Sequence, residues 1–170
     1  MVTKMSKIEI KNVSPNDIGA LQKISRETFY DTFSEGNTEE NMKKYLNDGF
    51  STEKLTAELN DTNVEFYFAI LDNAVVGYLK INFGQSQTEL QDEHALEIER
   101  IYVLKEFHKK NIGQSLYEKS IQIANQKNAD YVWLGVWEEN SKARTFIKKM
   151  DLLNLTNTFL SWAMTTRPTL

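Results

Sequence analysis

Residues Ala95 to Tyr117, ALEIERIYVLKEFHKKNIGQSLY, constrain this chain more than any other stretch, because they join a strand signal to a helix signal across a short polar turn. Ile98, Ile101, Tyr102 and Val103 are β-branched or aromatic, and at period 2 Glu97, Glu99, Ile101 and Val103 fall on one face of a strand. His108 to Asn111 is a polar turn, after which Ile112, Leu116, Ile121 and Ala124 mark a helix. A helix beginning at Asn111 to Gly113 turns unpaired backbone N–H groups and the positive end of its dipole back along the strand. That layout suits an anion, and a pyrophosphate in particular.

Composition excludes much else. A chain of 170 residues with 41% hydrophobic content is one domain's worth and long enough to bury a substantial core. It has no cysteine, which rules out disulfides, thiolate metal sites and a cysteine nucleophile. The longest apolar run, Phe66 to Leu71, is too short to span a bilayer, and the N-terminus lacks the apolar core of a signal peptide, so a cytoplasmic setting and no membrane partner are expected. A net charge of -4 argues against general nucleic-acid affinity and mildly favours a cationic partner. His94 and His108 are the only histidines, neither with a second ligand at metal spacing, so no metal site is expected.

Upstream, Ile8 and Ile10 alternate with charged residues between Lys7 and Val13, as in a half-buried strand. Ser14-Pro15-Asn16-Asp17 ends it and starts a helix with Ile18, Leu21, Ile24, Phe29 and Phe33 inward. Further helices start near Thr38, with Met42, Tyr45 and Leu46 inward, and near Ser51, with Leu55 and Leu59. Two strands, Val64 to Leu71 and Ala74 to Phe83, flank Asp72-Asn73, a hairpin turn of residues that accept positive φ. Gly77 inside the second strand marks a bulge or a close approach of backbone or ligand. The helix after Asn111 extends to Gln126, Asp130 to Trp137 reads as a strand, and Glu138 to Met150 as a helix with Ala143, Phe146 and Ile147 inward. No repeat or flexible linker interrupts this order, so residues 1–170 are expected to form one domain.

The loop from His108 to Gly113 resembles motif A of the Gcn5-related N-acetyltransferases (GNAT), Gln/Arg-x-x-Gly-x-Gly/Ala, which holds the pyrophosphate of acetyl-coenzyme A (acetyl-CoA). His108 stands at the Gln/Arg position, Asn111 at the first Gly and Gly113 at the final small residue. Asn tolerates left-handed backbone, and His still donates hydrogen bonds. Asn140, Ala143, Phe146 and Lys149 are spaced as in the family's second motif, whose Asn contacts the cofactor arm. The order of elements over Lys7 to Met150 is also similar. The resemblance implies an α/β (α+β) domain of the GNAT fold: a mixed, mostly antiparallel sheet flanked by helices, with strands four and five splayed around acetyl-CoA and Val103 and Trp137 bordering the slot. It further implies cofactor contacts from Ile101 and Val103, from His108, Lys109, Lys110, Asn111, Ile112, Gly113, Gln114 and Ser115, and from Asn140.

Glu27 to Phe33, Asn37 to Met42, Tyr45-Leu46 and Gly77 to Asn82 resemble the PaiA-type spermidine/spermine N-acetyltransferases. That implies a small-molecule amine as partner, with Glu35, Glu39, Glu40 and Asp48 either ringing a cationic site or forming a solvated face. An alkylammonium with a pKa near that of lysine, about 10.4, must lose a proton before it can attack a thioester. The resemblance offers a strand-four carboxylate as base, Glu97, with Glu99 as the alternative or the amine anchor. Both carboxylates have a structural alternative as partners of Arg100 or Lys80. For the oxyanion the resemblance offers the backbone N–H of Val103. Ile147 stands where many members carry a tyrosine that protonates the leaving thiolate. Tyr102 or Tyr117 substitutes, or the thiolate leaves unassisted, a thiol pKa of about 8.5 making it a tolerable leaving group. Two other readings therefore stay open, a catalytically weak acetyl-CoA-binding sensor or regulatory protein and a protein N-acetyltransferase.

The resemblance stops after Met150. Only Asp151 and Arg167 are charged in the last twenty residues, against 26% of the whole chain. The family's Gly-Phe and the strand pair after it are missing. Adding one G after the Met150 codon shifts the frame, so that Trp162-Ala163 forces GGC, a glycine, and Met164-Thr165 forces GAC, an aspartate. PaiA-like members carry Gly-Asp-Asp in this region. The tail therefore reads as a frameshift product, with Leu153, Leu155, Phe159, Leu160 and Trp162 able to pair as a strand and an apolar surplus that favours a homodimer. Sequencing the source gene is expected to expose the displaced frame, and an uninterrupted natural frame encoding this same tail would sink the reading.

Overall fold

Asp72 and Asn73 both take positive φ, 49° and 65°, as a two-residue hairpin turn requires, and they close β2 (Val64–Leu71) onto β3 (Ala74–Phe83). The computed structural model describes residues 6–137, 140–154 and 161–167, with side chains described as far as residue 150. β1 (Glu9–Asn12) pairs antiparallel with β2, and β4 (Ala95–Val103) antiparallel with β3. β5 (Tyr131–Trp137) and β6 (Ser161–Arg167) then add parallel to β4 and β5, so the described sheet runs β1-β2-β3-β4-β5-β6. The tail thus contributes one strand, in register from Tyr131↔Ser161 to Trp137↔Arg167, while Leu155, Phe159 and Leu160 lie outside the described residues.

Among the described residues five α-helices cover the two faces. α1 (Ile18–Phe33), α2 (Glu39–Gly49) and α3 (Thr52–Asn60) come first, with Thr38 and Ser51 accepting from Asn41 N and Lys54 N to cap α2 and α3. Leu21, Ile24 and Leu55 from this group pack on Phe66, Phe68 and Tyr78. On the opposite face α4 (Ile112–Gln126) and α5 (Ser141–Asn154) bring Ile112, Leu116, Ile147 and Met150 onto Leu79, Ile81, Leu96 and Ile98. Fully burying an aliphatic side chain of this size stabilises by about 1.5–3 kcal/mol. No helix among the described residues is long and apolar enough to cross a membrane. α5 starts at Ser141, later than the sequence pattern indicates, and Glu138 and Glu139 lie outside the described residues.

Strand β4 departs from strict alternation. Lys80 pairs with Arg100 but Ile81 pairs with Ile98, so Glu99 is an extra residue, a β-bulge. The bulge reverses the phase of the strand. Ile101 and Val103 join Leu96 and Ile98 on the α4 face, and the carboxylates of Glu97 and Glu99 both meet Asn82 instead. The period-2 expectation that Glu97, Glu99, Ile101 and Val103 share a face is therefore corrected, because one unpaired residue shifts every later side chain.

Gly77 lies opposite Val103, and a Cβ there would sit 2.7 Å from the Tyr102 carbonyl oxygen and 3.3 Å from Val103 Cα. The glycine is a close-approach residue with rigid backbone against it, beside a register shift in the β2–β3 pairing. Gly77→Ala is expected to lower stability by about 1–3 kcal/mol in a denaturant melt, because β3 and β4 must move apart. An unchanged midpoint would show that the strands give way without cost.

Candidate active site

β4 and β5 pair only at their beginnings. Ala95, Leu96 and Glu97 face Tyr131, Val132 and Trp133, and no further pair follows although β4 continues to Val103 and β5 to Trp137. Beyond Glu97 one edge of β4 is therefore open toward β5. Leu104 N donates to Val76 O on β3 at 2.8 Å, so by alternation Val103 and Ile101 turn their N–H and C=O groups to the open edge. The Val103 carbonyl there accepts from His108 Nε2 at 2.9 Å.

Just past this edge the chain tightens. Lys109 and Asn111 take φ of 64° and 60°, and Asn111, in left-handed geometry, leads into α4. The first backbone bond of that helix runs from Ser115 N to Asn111 O at 3.1 Å, so the N–H groups of Ile112, Gly113 and Gln114 have no partner within the helix. Lys109 and Lys110 are exposed beside them. Opposite, Trp137 at the end of β5 packs on Phe33 with ring centroids 4.1 Å apart, and on Phe29 at 6.4 Å.

The two strand-four carboxylates differ in surroundings. Glu99 meets Lys80 Nζ and, at 3.3 Å, Arg100; both cations also reach Glu58 on α3, at 3.0 Å and 3.3 Å, so four charges alternate in a closed ring. Burial opposes ionisation of Glu99, but Arg100 and Lys80, with the Asn82 amide, outweigh it and hold its carboxyl down at about 2. A carboxyl so stabilised as the anion is a poor proton acceptor at neutral pH. Glu97 is wholly buried and takes its described hydrogen bonds from uncharged donors: Asn82 Nδ2 at 3.0 Å, Thr88 N at 2.8 Å and the Thr88 hydroxyl.

A family model, Acetyltransferase (GNAT) family, matches residues 20–151. An uncharacterised N-acetyltransferase encoded in the pepI 3′ region of Lactobacillus delbrueckii subsp. lactis is 39% identical over 148 residues, 87% of this chain and 86% of that protein. The chain belongs to the GNAT family. Spermidine N(1)-acetyltransferase of Thermoplasma acidophilum is 26% identical over 146 residues, 84% of this chain and 86% of that protein. Among solved structures, the PaiA N-acetyltransferase of Thermoplasma acidophilum in complex with coenzyme A superposes with a TM-score of 0.75 at 24% identity, over 85% of this chain and 88% of that one.

This GNAT protein is thus an acetyl-CoA-dependent N-acetyltransferase. The residues present fit the donor molecule, since the α4 start supplies three backbone N–H groups for a pyrophosphate and β4 supplies an open edge for an extended arm. Individual side chains are otherwise engaged than the motif implies. His108 spends Nε2 on Val103, and Gly113 is small under Phe146, whose ring would lie 3.1 Å from an added Cβ. Asn140 accepts from Ala143 N at 3.0 Å through Oδ1, which caps α5.

Ile147 is buried in the core. Glu35, Glu39, Glu40 and Asp48 are all exposed, and Asp48 lines a groove of about 420 Å³ together with Lys44 and Lys54 rather than other acids. Sequence reasoning passed over Asn82, Thr88, Gln87 and Glu58. Asn82 was findable, since Lys80 and Asn82 are polar at period 2 within the apolar run VVGYLKINF. Thr88 and Gln87 carry no such signal, because they sit in an irregular polar loop.

The charge ring yields an acid-stability expectation. The Glu99 carboxyl is depressed from 4.5 to about 2, so its contribution is complete above pH 4.5 and is lost as pH falls toward 2. The thermal midpoint should drop through that window. Glu99→Gln should flatten the drop and cost about 3–5 kcal/mol at neutral pH, because Lys80 and Arg100 are left with Glu58. A variant whose stability tracks the parent at every pH would mean that the ring contributes nothing.

Proposed function

We propose that this N-acetyltransferase moves the acetyl group to a primary amine of a small polycation, spermidine, spermine or a similar amine, by direct attack. The observation that carries the reading is Glu97 seated at the last β4–β5 pair, beside the open edge, while its neighbour Glu99 is neutralised by Lys80 and Arg100. When bound, acetyl-CoA supplies a thioester carbonyl as electrophile and a thiol as leaving group. Glu97 accepts the proton that the ammonium must lose, and the ring around Glu99 keeps that second charge from competing for it. The Val103 N–H, turned to the open edge, is the donor for the acetyl carbonyl oxygen. The amides of Ile112, Gly113 and Gln114, with Lys109, Lys110 and Ser115, hold the phosphates, and Ile101 and Asn140 hold the arm.

A polyamine acceptor is supported by the similarity to a spermidine acetyltransferase, by the net charge of -4 and by exposed Glu39 and Glu40 in the first turn of α2. The half-buried rings of Phe29 and Trp137 would pack against the methylenes of such a chain. Incubation with acetyl-CoA and a panel of spermidine, spermine, lysine and peptide N-termini, followed as free thiol, is expected to give the highest kcat/KM for the polyamines. Preference for the peptides would transfer the reading to protein acetylation. Glu97→Gln should lower kcat by about 100-fold or more and leave coenzyme A affinity unchanged, because a base acts only on the amine step. Equal losses in both would reassign Glu97 to a structural role.

A further inference from the structure

Glu97 has no exposed surface, yet a general base must come within hydrogen-bond reach of the proton it removes. The described contacts sort its two oxygens. Oε2 accepts two N–H donors, Asn82 Nδ2 and Thr88 N, whose protons are not acidic enough to move. Oε1 accepts from the Thr88 hydroxyl at 2.5 Å, and a hydroxyl can pass its proton on while its own lone pairs take another. Thr88 itself is exposed, on the loop between β3 and β4.

That loop is pinned. Buried Gln87 donates from Nε2 to Gly84 O at 3.1 Å and Asp92 O at 2.7 Å, and accepts at Oε1 from Trp133 Nε1 at 2.7 Å. Trp133 is the register partner of Glu97 on β5, so the residue before Thr88 is tied to the strand pair that carries the carboxylate. The Thr88 hydroxyl therefore stands at a fixed position between solvent and Glu97.

We propose that Thr88 is a proton relay between the acceptor amine and Glu97, an inference that rests on the amine-acetylation reading above. The ammonium N–H bond breaks, its proton joins Thr88 Oγ, and the nitrogen keeps the electron pair with which it attacks. In the same step the proton already on Oγ passes to Glu97 Oε1. Thr88 is neutral before and after, and Glu97 changes from carboxylate to carboxylic acid.

The test compares wild type, Thr88→Val and Thr88→Ser for kcat with spermidine, coenzyme A affinity by calorimetry and thermal midpoint. Both variants keep the backbone N–H to Oε2, and valine matches threonine in shape. Thr88→Val is expected to lose about 100-fold in kcat with coenzyme A affinity unchanged, and Thr88→Ser to stay within about threefold of wild type. A second arm uses the unaltered protein: initial rates in mixtures of H2O and D2O should curve with deuterium fraction, as two protons in flight require. A Thr88→Val enzyme as fast as wild type, a Thr88→Ser enzyme as slow as the valine variant, or a straight isotope plot overturns the relay. Wild type that acetylates no amine in the panel removes the functional reading and the relay with it, a result distinct from an active wild type with an indifferent Thr88.

Discussion

The site depends on the point where β4 and β5 stop pairing. Up to Glu97↔Trp133 the two strands share a parallel ladder; beyond it each is drawn elsewhere. β4 stays with β3 as far as Val103, helped by Gly77, which lets the two backbones close, and its bulge at Glu99 adds local twist. The end of β5 turns to α1, where Trp137 packs on Phe29 and Phe33. The edge so opened is half-buried, and its Val103 carbonyl is taken by His108; the other backbone groups turned to it would pair with an extended amide-bearing arm of the kind proposed above.

The bulge also distributes charge. Without the extra residue, Glu97 and Glu99 would project in phase with Ile101 and Val103 toward α4. With it, both carboxylates reach one amide, Asn82 Nδ2, which has one hydrogen for each. Two buried carboxylates that close repel unless something separates their environments. Here Lys80 and Arg100 do so. They bind Glu99 and Glu58 in a ring, with Lys80 over the Phe66 ring at 5.7 Å and Arg100 over Phe50 at 5.1 Å, so the charges are shielded by aromatic faces as well as by each other. Pairs of carboxylates whose surroundings differ in this way take different chemical roles.

Most of the scaffold was legible because it rests on periodicity and turn chemistry. The bounds of β2 and β3 follow from two apolar runs around Asp72-Asn73, and α4 ends at Gln126 as its apolar spacing indicates. The bulge was not legible, since nothing in Glu97 to Val103 distinguishes an extra residue from a regular one; it emerges only when β3 supplies the register. Motif residues were legible as positions and less so as contacts. His108 and Gly113 sit at the turn the motif describes, yet one closes the turn on Val103 and the other makes room for Phe146. Both contacts bridge elements far apart in the chain or cross a turn of non-repetitive geometry, which local patterning does not encode.

The return of a proton to the leaving sulfur is constrained by sidedness. Ile147, on α5, is buried with Ile112, Leu116 and Leu134 on the α4 face and has no hydrogen to donate. Of the two tyrosines the sequence offers in its place, Tyr117 belongs to that same packed layer, whereas Tyr102 stacks on Tyr78 at 6.0 Å on the face covered by α1 and α3. A sheet lies between Tyr102 and the layer that holds Ile147. Of the two, a donor on the Ile147 side of the sheet would be Tyr117 rather than Tyr102. Without it the sulfur departs as a thiolate, which a thiol pKa of about 8.5 allows at modest cost near neutral pH.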